Sequence, residues 1–204
     1  MKHAVIIAHP NADSYTASLA AAWREAGLLS GHEVICRDLY RMRFDPCLPE
    51  SELPWSKHYA LRDDVVAERE VLKDVDVFAL FYPLWLNAPP AILKGYLERV
   101  FGFGFGYHRD GNANAPLLTG RKLISVTASG APMEWVVKSG AWQAMRALFD
   151  EHFASVCGLT VVDHIHFGGI VPGIRADSVQ ADMETVRKAF TRHFAATQAG
   201  PATA

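Results

Sequence analysis

Five short apolar runs, Ala4 to Ala8, Glu33 to Arg37, Asp76 to Tyr82, Lys122 to Thr127 and Leu159 to Phe167, are separated by stretches each long enough for a helix. Parallel strands need such crossovers, so the alternation confines the chain to the α/β class, with right-handed connections and helices on both sheet faces. The intervening patterns agree. Tyr15, Leu19, Ala22, Trp23 and Ala26 recur at helical spacing, with Asp13 or Ser14 placed to cap the helix and Gly27 or Gly31 to stop it. Further helices are expected from Asp63 to about Lys73, Ala91 to Phe101, about Gly140 to Val156, and Asp177 onward, the last opened by an Asp177/Gln180 capping box. Leu39 to Tyr59 reads as a long ordered loop, Gly102 to Pro116 as a glycine-rich loop, and the tail from Ala196 as frayed. The whole implies one domain over residues 1–204, built on a doubly wound parallel five-stranded sheet. A 2-1-3-4-5 strand order would gather the loops after strands one, three and four.

Charge and cysteine usage remove several function classes. Twenty Lys and Arg against 22 Asp and Glu give a formal net charge of -2, so no basic field draws nucleic acid or anionic lipid. Cys36, Cys47 and Cys157 are scattered and odd in number, which fits reduced thiols in a cytoplasmic protein. No run approaches the roughly 18 apolar residues of a membrane span. A Gly-x-Ser-x-Gly elbow, a Walker lysine loop and a dinucleotide glycine motif are all missing. His164 and His166 share one strand face, but without further ligands they read as structural or dimer-surface residues, and no metal is expected.

The three strand-end loops carry the chemistry. His9 to Thr16 runs onto a helix N-terminus, where free amides and the hydroxyls of Ser14 and Thr16 suit a phosphate; Asp13 and Ser14 acting only as caps is the competing reading. Pro83 ends the third strand, and Leu84, Trp85, Leu86 and Asn87 project beyond it as a platform for a flat ring. Thr127, Ala128, Ser129 and Gly130 are small, allowing a planar ligand to approach the backbone.

Several blocks in order resemble the flavodoxin-like NAD(P)H:quinone oxidoreductases: Ala8-His9-Pro10 leading to Ser14, Asp38-Leu39-Tyr40 before Phe44-Asp45-Pro46, Pro83-Leu84-Trp85, and Pro90 to Gly95 running into Glu98-Arg99-Val100-Phe101. That resemblance implies a flavodoxin-like fold, a flavin with FAD favoured over FMN, NADH or NADPH as co-substrate, ping-pong hydride transfer to a quinone, and a homodimer with sites at the interface. His9, Ser14, Tyr15 and Thr16 would hold the flavin phosphate, while Pro83 to Asn87 and Thr127 to Gly130 would flank the ring. Tyr107 and Val156 match positions that reach the site from the partner subunit. Trp135 stands where the family has a tyrosine, the histidine that follows it has no match, and Leu86 and Asn87 replace a usually aromatic pair. Two other readings are a flavin-binding regulatory subunit of a membrane transport system and a flavin-lacking binding module.

Overall fold

β3 (Val77–Pro83) is buried at every position, as a strand covered on both faces must be. The computed structural model describes residues 1–110 and 113–194. Phe78, Leu80 and Tyr82 point from β3 into one core, Val77, Ala79 and Phe81 into the other. β1 (Lys2–Ile7) and β6 (Lys122–Ala128) flank it in parallel, and β2 (Glu33–Asp38) and β7 (Thr160–Phe167) form the edges. The order β2-β1-β3-β6-β7 is the expected 2-1-3-4-5 order once a small hairpin is set aside.

That hairpin, β4 (Tyr107–Asp110) paired antiparallel with β5 (Ala113–Pro116), corrects the loop expected from Gly102 to Pro116. Its glycines serve close packing as well as turning: a Cβ at Gly106 would lie 2.0 Å from the Phe101 carbonyl oxygen. Gly111 and Asn112 lie outside the described residues, as does the tail from Ala196.

Two helical layers close the cores. α1 (Tyr15–Leu29) and α7 (Ala176–Phe194) cover one face, burying Leu19, Trp23, Val186, Phe190 and Phe194. α2 (Asp63–Leu72) and α3 (Ala91–Val100) cover the other, with Leu72, Leu93 and Tyr96 inward. α7 starts one residue before Asp177, so the expected capping box does not form. The Asp177 carboxylate instead accepts from Ser178 N at 2.8 Å and Arg175 Nε at 3.0 Å.

The single helix expected from Gly140 to Val156 is also subdivided. A short α4 (Met133–Lys138) precedes it, then come α5 (Ala141–Met145), a π-helical turn (Arg146–His152) and α6 (Phe153–Cys157). A π turn adds a residue to one helical turn and shifts the facing of those around it. Trp142, Met145, Phe149 and Phe153 keep their core contacts while Asp150 also faces inward, with no exposed surface.

The long loop Leu39 to Tyr59, which contains a 3₁₀ turn at Glu50–Glu52, is pinned from below by Arg99. That guanidinium donates to Glu52 at 2.7 and 2.9 Å, Asp64 at 2.8 and 2.9 Å, and the Asp45 carbonyl at 2.6 Å. Gly95 lets the loop seat, since a Cβ there would stand 2.1 Å from the Pro46 carbonyl oxygen.

One buried group sets a pH limit on the fold. His3 is enclosed by Trp23, Phe190 and Phe194, touches His32 through Nε2 at 2.9 Å, and its Nδ1 has no partner among the described residues. Burial, then the neighbouring His32, lowers its pKa from 6.5 to about 4. The unfolded chain therefore takes up this proton first as pH falls, and stability declines between pH 6.5 and about 4. The loss is on the order of 3 kcal/mol across that window. His3→Leu should flatten this part of the pH profile of chemical denaturation; an unchanged slope would assign the acid sensitivity elsewhere.

Candidate active site

The loops after β1, β3 and β6 meet at one edge of the sheet, around a cleft of about 170 Å³. Ser14 caps α1 by accepting from Ala17 N at 3.1 Å, and the amides of Tyr15 and Thr16 occupy the open first turn, where no helical carbonyl precedes them. Thr16 is 4% exposed and lines the same cleft. Tyr15 also lines the cleft, but its hydroxyl is spent on Asp182 at 2.8 Å, and burial, then that carboxylate, raises its pKa.

His9 is oriented by its own loop. His9 Nδ1 lies 3.1 Å from Asn11 N and 3.2 Å from the Asn11 carbonyl oxygen, two contacts that hold the ring against its own loop. Burial lowers its pKa, with the Asn11 backbone and Asp38 opposing, so the ring is neutral near neutrality. Its centroid lies 5.8 Å from that of Trp85.

The platform is a minute hairpin. Trp85 and Ala88 exchange backbone bonds of 3.0 and 3.1 Å, and Leu86 and Asn87 form the turn with φ of 52° and 57°. Positive φ at both central residues is the type I′ pattern, which favours Asn-Gly and costs a leucine about 1–2 kcal/mol. Leu86 is fully exposed. Pro83, Leu84 and Trp85 line the cleft, whereas Leu86 and Asn87, expected beside them, stand at the tip of the turn and are not among its lining residues.

The third loop is tied to the second by Leu84 N donating to Ala128 O at 2.7 Å. Ala128, Ser129 and Gly130 line the cleft; Thr127, expected with them, is 1% exposed and lies beneath, hydrogen-bonded to His164 and His166. These bonds give both histidines a structural role, one of the two readings offered by the sequence, with His164 buried and His166 half-buried. Ile170 joins the lining without having been singled out. The signal was its position after the fifth strand, at the same sheet edge, where its amide bonds Ser129 O at 2.9 Å.

Tyr107 and Val156 line a second, largely apolar groove of about 330 Å³, together with Trp55, Phe103, Phe149 and Phe153. Trp135, on α4, lines neither space and is 51% exposed. Among the described residues no group of three or more potential ligands could hold a metal ion, and no helix is long and apolar enough to cross a membrane.

Comparison with known proteins fits this geometry. Residues 1–193 match the sequence profile of a family described by a flavodoxin-like fold. A protein of Haemophilus influenzae named as an NAD(P)H oxidoreductase is 30% identical over 171 residues, covering 83% of this chain and 85% of its own. The chain belongs to the flavodoxin-like NAD(P)H oxidoreductase family. It is thus an oxidoreductase by family. The NAD(P)H:quinone oxidoreductase of Methanothermobacter marburgensis is 26% identical, with a TM-score of 0.79 over 95% of this chain and 98% of that one. An FMN-dependent NADH-azoreductase from Bacillus anthracis, solved with FMN, shares the fold at 19% identity and a TM-score of 0.68, over 94% of this chain and 98% of that one. The chain spans about half the length, 55%, of the Cavia porcellus NAD(P)H dehydrogenase [quinone] 1, to which it is 28% identical over 66% of its own length.

Proposed function

We propose that the protein passes two electrons from NADH or NADPH, through a bound flavin, to a quinone or related electrophilic aromatic. The observation that carries this reading is the convergence of three strand-end loops on one cleft, with an open helix N-terminus at one side and an apolar wall at the other. The residues present fit a flavin. The amides of Tyr15 and Thr16, the Thr16 hydroxyl and the His9 ring would hold its phosphate, and the helix dipole favours an anion there. Pro83, Leu84 and Trp85 would face one part of the ring, and Ala128 to Gly130 another, with Leu86 and Asn87 at the rim. When bound, the flavin accepts and returns a hydride equivalent.

Nicotinamide and acceptor would occupy the same wall in turn, giving ping-pong kinetics. At about 170 Å³ the cleft is smaller than the roughly 300–1,000 Å³ usual for ligand pockets, so a second copy is proposed to complete it. Tyr107 and Val156 lie in the apolar groove that such a copy would cover, each reaching the other's cleft. The expected preference for FAD over FMN gains no support, because the similar structure described with a flavin carries FMN.

Reconstitution with each flavin, followed by mass spectrometry of the retained cofactor and menadione-dependent NAD(P)H oxidation, tests the reading. Parallel double-reciprocal plots are expected. Retention of neither flavin at micromolar concentration would overturn it.

A further inference from the structure

Beneath the cleft runs a hydrogen-bonded chain of five side chains, four of them buried and His166 half-buried. Asp150 Oδ2 meets His164 Nδ1 at 2.5 Å, and His164 Nε2 meets Thr127 Oγ1 at 2.8 Å. Thr127 Oγ1 also meets His166 Nδ1 at 2.8 Å, and His166 Nε2 meets Ser129 Oγ at 3.0 Å. Ser129 lines the cleft. The pieces come from four places: Thr127 from β6, Ser129 from the loop after it, His164 and His166 from β7, and Asp150 from the π-helical turn.

Each hydroxyl has one hydrogen, which decides where the protons are. Ser129 donates its hydrogen to the Ala131 carbonyl at 2.9 Å, so toward His166 it can only accept, and His166 Nε2 carries a proton. A neutral His166 then has a bare Nδ1, to which Thr127 must donate. The 3.5 Å approach of Thr127 Oγ1 to the Ile165 carbonyl is too long to compete. With its hydrogen spent, Thr127 can only accept from His164 Nε2, which is therefore protonated. His164 Nδ1 meets an Asp150 oxygen, so one further proton lies between them, giving an imidazolium beside a carboxylate when it sits on Nδ1.

The surrounding groups favour that assignment. Ser125 donates to the other Asp150 oxygen at 2.8 Å. Tyr82 faces Asp150 from β3, and burial, then that carboxylate, raises its pKa, keeping it neutral. Trp142 on α5 packs over both imidazoles, with centroids 4.9 and 5.8 Å away. Burial, then His164, lowers the His166 pKa to about 4, so the second ring stays uncharged. Asp163, also on β7, is occupied by Arg192 and His193.

We propose that Asp150 and His164 store one proton, and that Thr127, His166 and Ser129 conduct it to the acceptor reduced in the cleft. The inference rests on the oxidoreductase reading above. A quinone becomes a hydroquinone by gaining two electrons and two protons; NAD(P)H supplies both electrons and one proton as a hydride, leaving one proton to be found. Ser129 gives its hydrogen to the acceptor oxygen and takes one from His166 Nε2. His166 takes one at Nδ1 from Thr127, and Thr127 takes one from His164 Nε2. The three bonds from His164 to Ser129 survive with their direction reversed, His164 Nδ1 goes on donating to Asp150, and Ser129 releases the Ala131 carbonyl. His164 ends neutral beside a charged Asp150, a buried charge that favours reloading with a proton from solvent through the cleft. His164 and His166 are positioning and relay residues; only Ser129 reaches the acceptor.

The experiment has two arms. In flavin-free protein, imidazole ¹⁵N NMR should find His164 doubly protonated at pH 7 and His166 neutral with its proton on Nε2. A singly protonated His164 would overturn the store. In reconstituted protein, Thr127→Val should lower the ratio of menadione turnover to turnover of ferricyanide, which takes electrons without protons, by about tenfold or more. Thr127→Ser should restore it. An unchanged ratio would overturn conduction, since a loosened fold would slow both acceptors alike. No turnover with either acceptor in the unmodified protein would overturn the oxidoreductase reading and delivery with it, whereas the NMR arm still decides the proton's place.

Discussion

Gly130→Leu is expected to leave the fold intact and to weaken flavin binding severely. A Cβ added at Gly130 meets only the Ile170 carbonyl oxygen, at 3.7 Å, which is ordinary contact, and no left-handed backbone angle forbids a side chain there. The residue is exposed and lines the cleft, so a longer side chain extends into the space proposed for the ring. Thermal stability should change by no more than an exposed substitution does, about 0.5 kcal/mol. Flavin affinity should fall about a hundredfold, equivalent to roughly 2.7 kcal/mol. Gly130→Ala is the control, keeping most of the affinity because one methyl group leaves the cleft open. Titration of apoprotein with FMN and FAD, read beside a melting curve, checks both halves. If Gly130→Leu retains flavin like the unmodified protein, the ring does not lie against the third loop.

Arg99→Ala is expected to carry the largest stability cost. Its side chain and that of Glu52 have 0% and 1% of their surface exposed, so removing the guanidinium strands a buried carboxylate. Breaking a buried pair from one side costs about 3–5 kcal/mol. For a chain of this size that corresponds to a melting temperature lower by roughly 10 °C or more. Asp64 contributes less, being 42% exposed and able to turn to water. The double variant Arg99→Leu with Glu52→Leu should recover at least half the loss, because an apolar pair removes both desolvation penalties. Equal instability in the single and double variants would mean that Arg99 acts through packing against Phe44, 5.1 Å from its guanidinium carbon, and not through charge.

Sheet order, helix faces and the three strand-end loops were legible because each rests on local periodicity or on a strand boundary. What escaped shares a different cause. Asp150 is one acidic residue on a helix whose ordinary spacing would turn it toward solvent, and only the π-helical turn brings it under the sheet. Thr127 reads as one more small residue of the third loop, yet strand alternation sends it down to His164 and His166. Arg99 sits in a recognisable block, but the carboxylates that bind it lie 35 and 47 residues away, beyond any local pattern. The β4–β5 hairpin was concealed by glycines that break alternation while permitting contact with the Phe101 backbone.

The turn at Leu86 and Asn87 bears on how such a protein diversifies. A side chain that touches nothing in the chain's own core can be exchanged without a folding penalty, and here exchange toward asparagine or glycine would even relieve backbone strain. Stability therefore exerts no selection in favour of leucine at this rim. If the rim of the cleft takes the proposed acceptor, preference for it could drift there while the sheet below stays fixed, making these two residues the natural place for libraries that seek new electron acceptors.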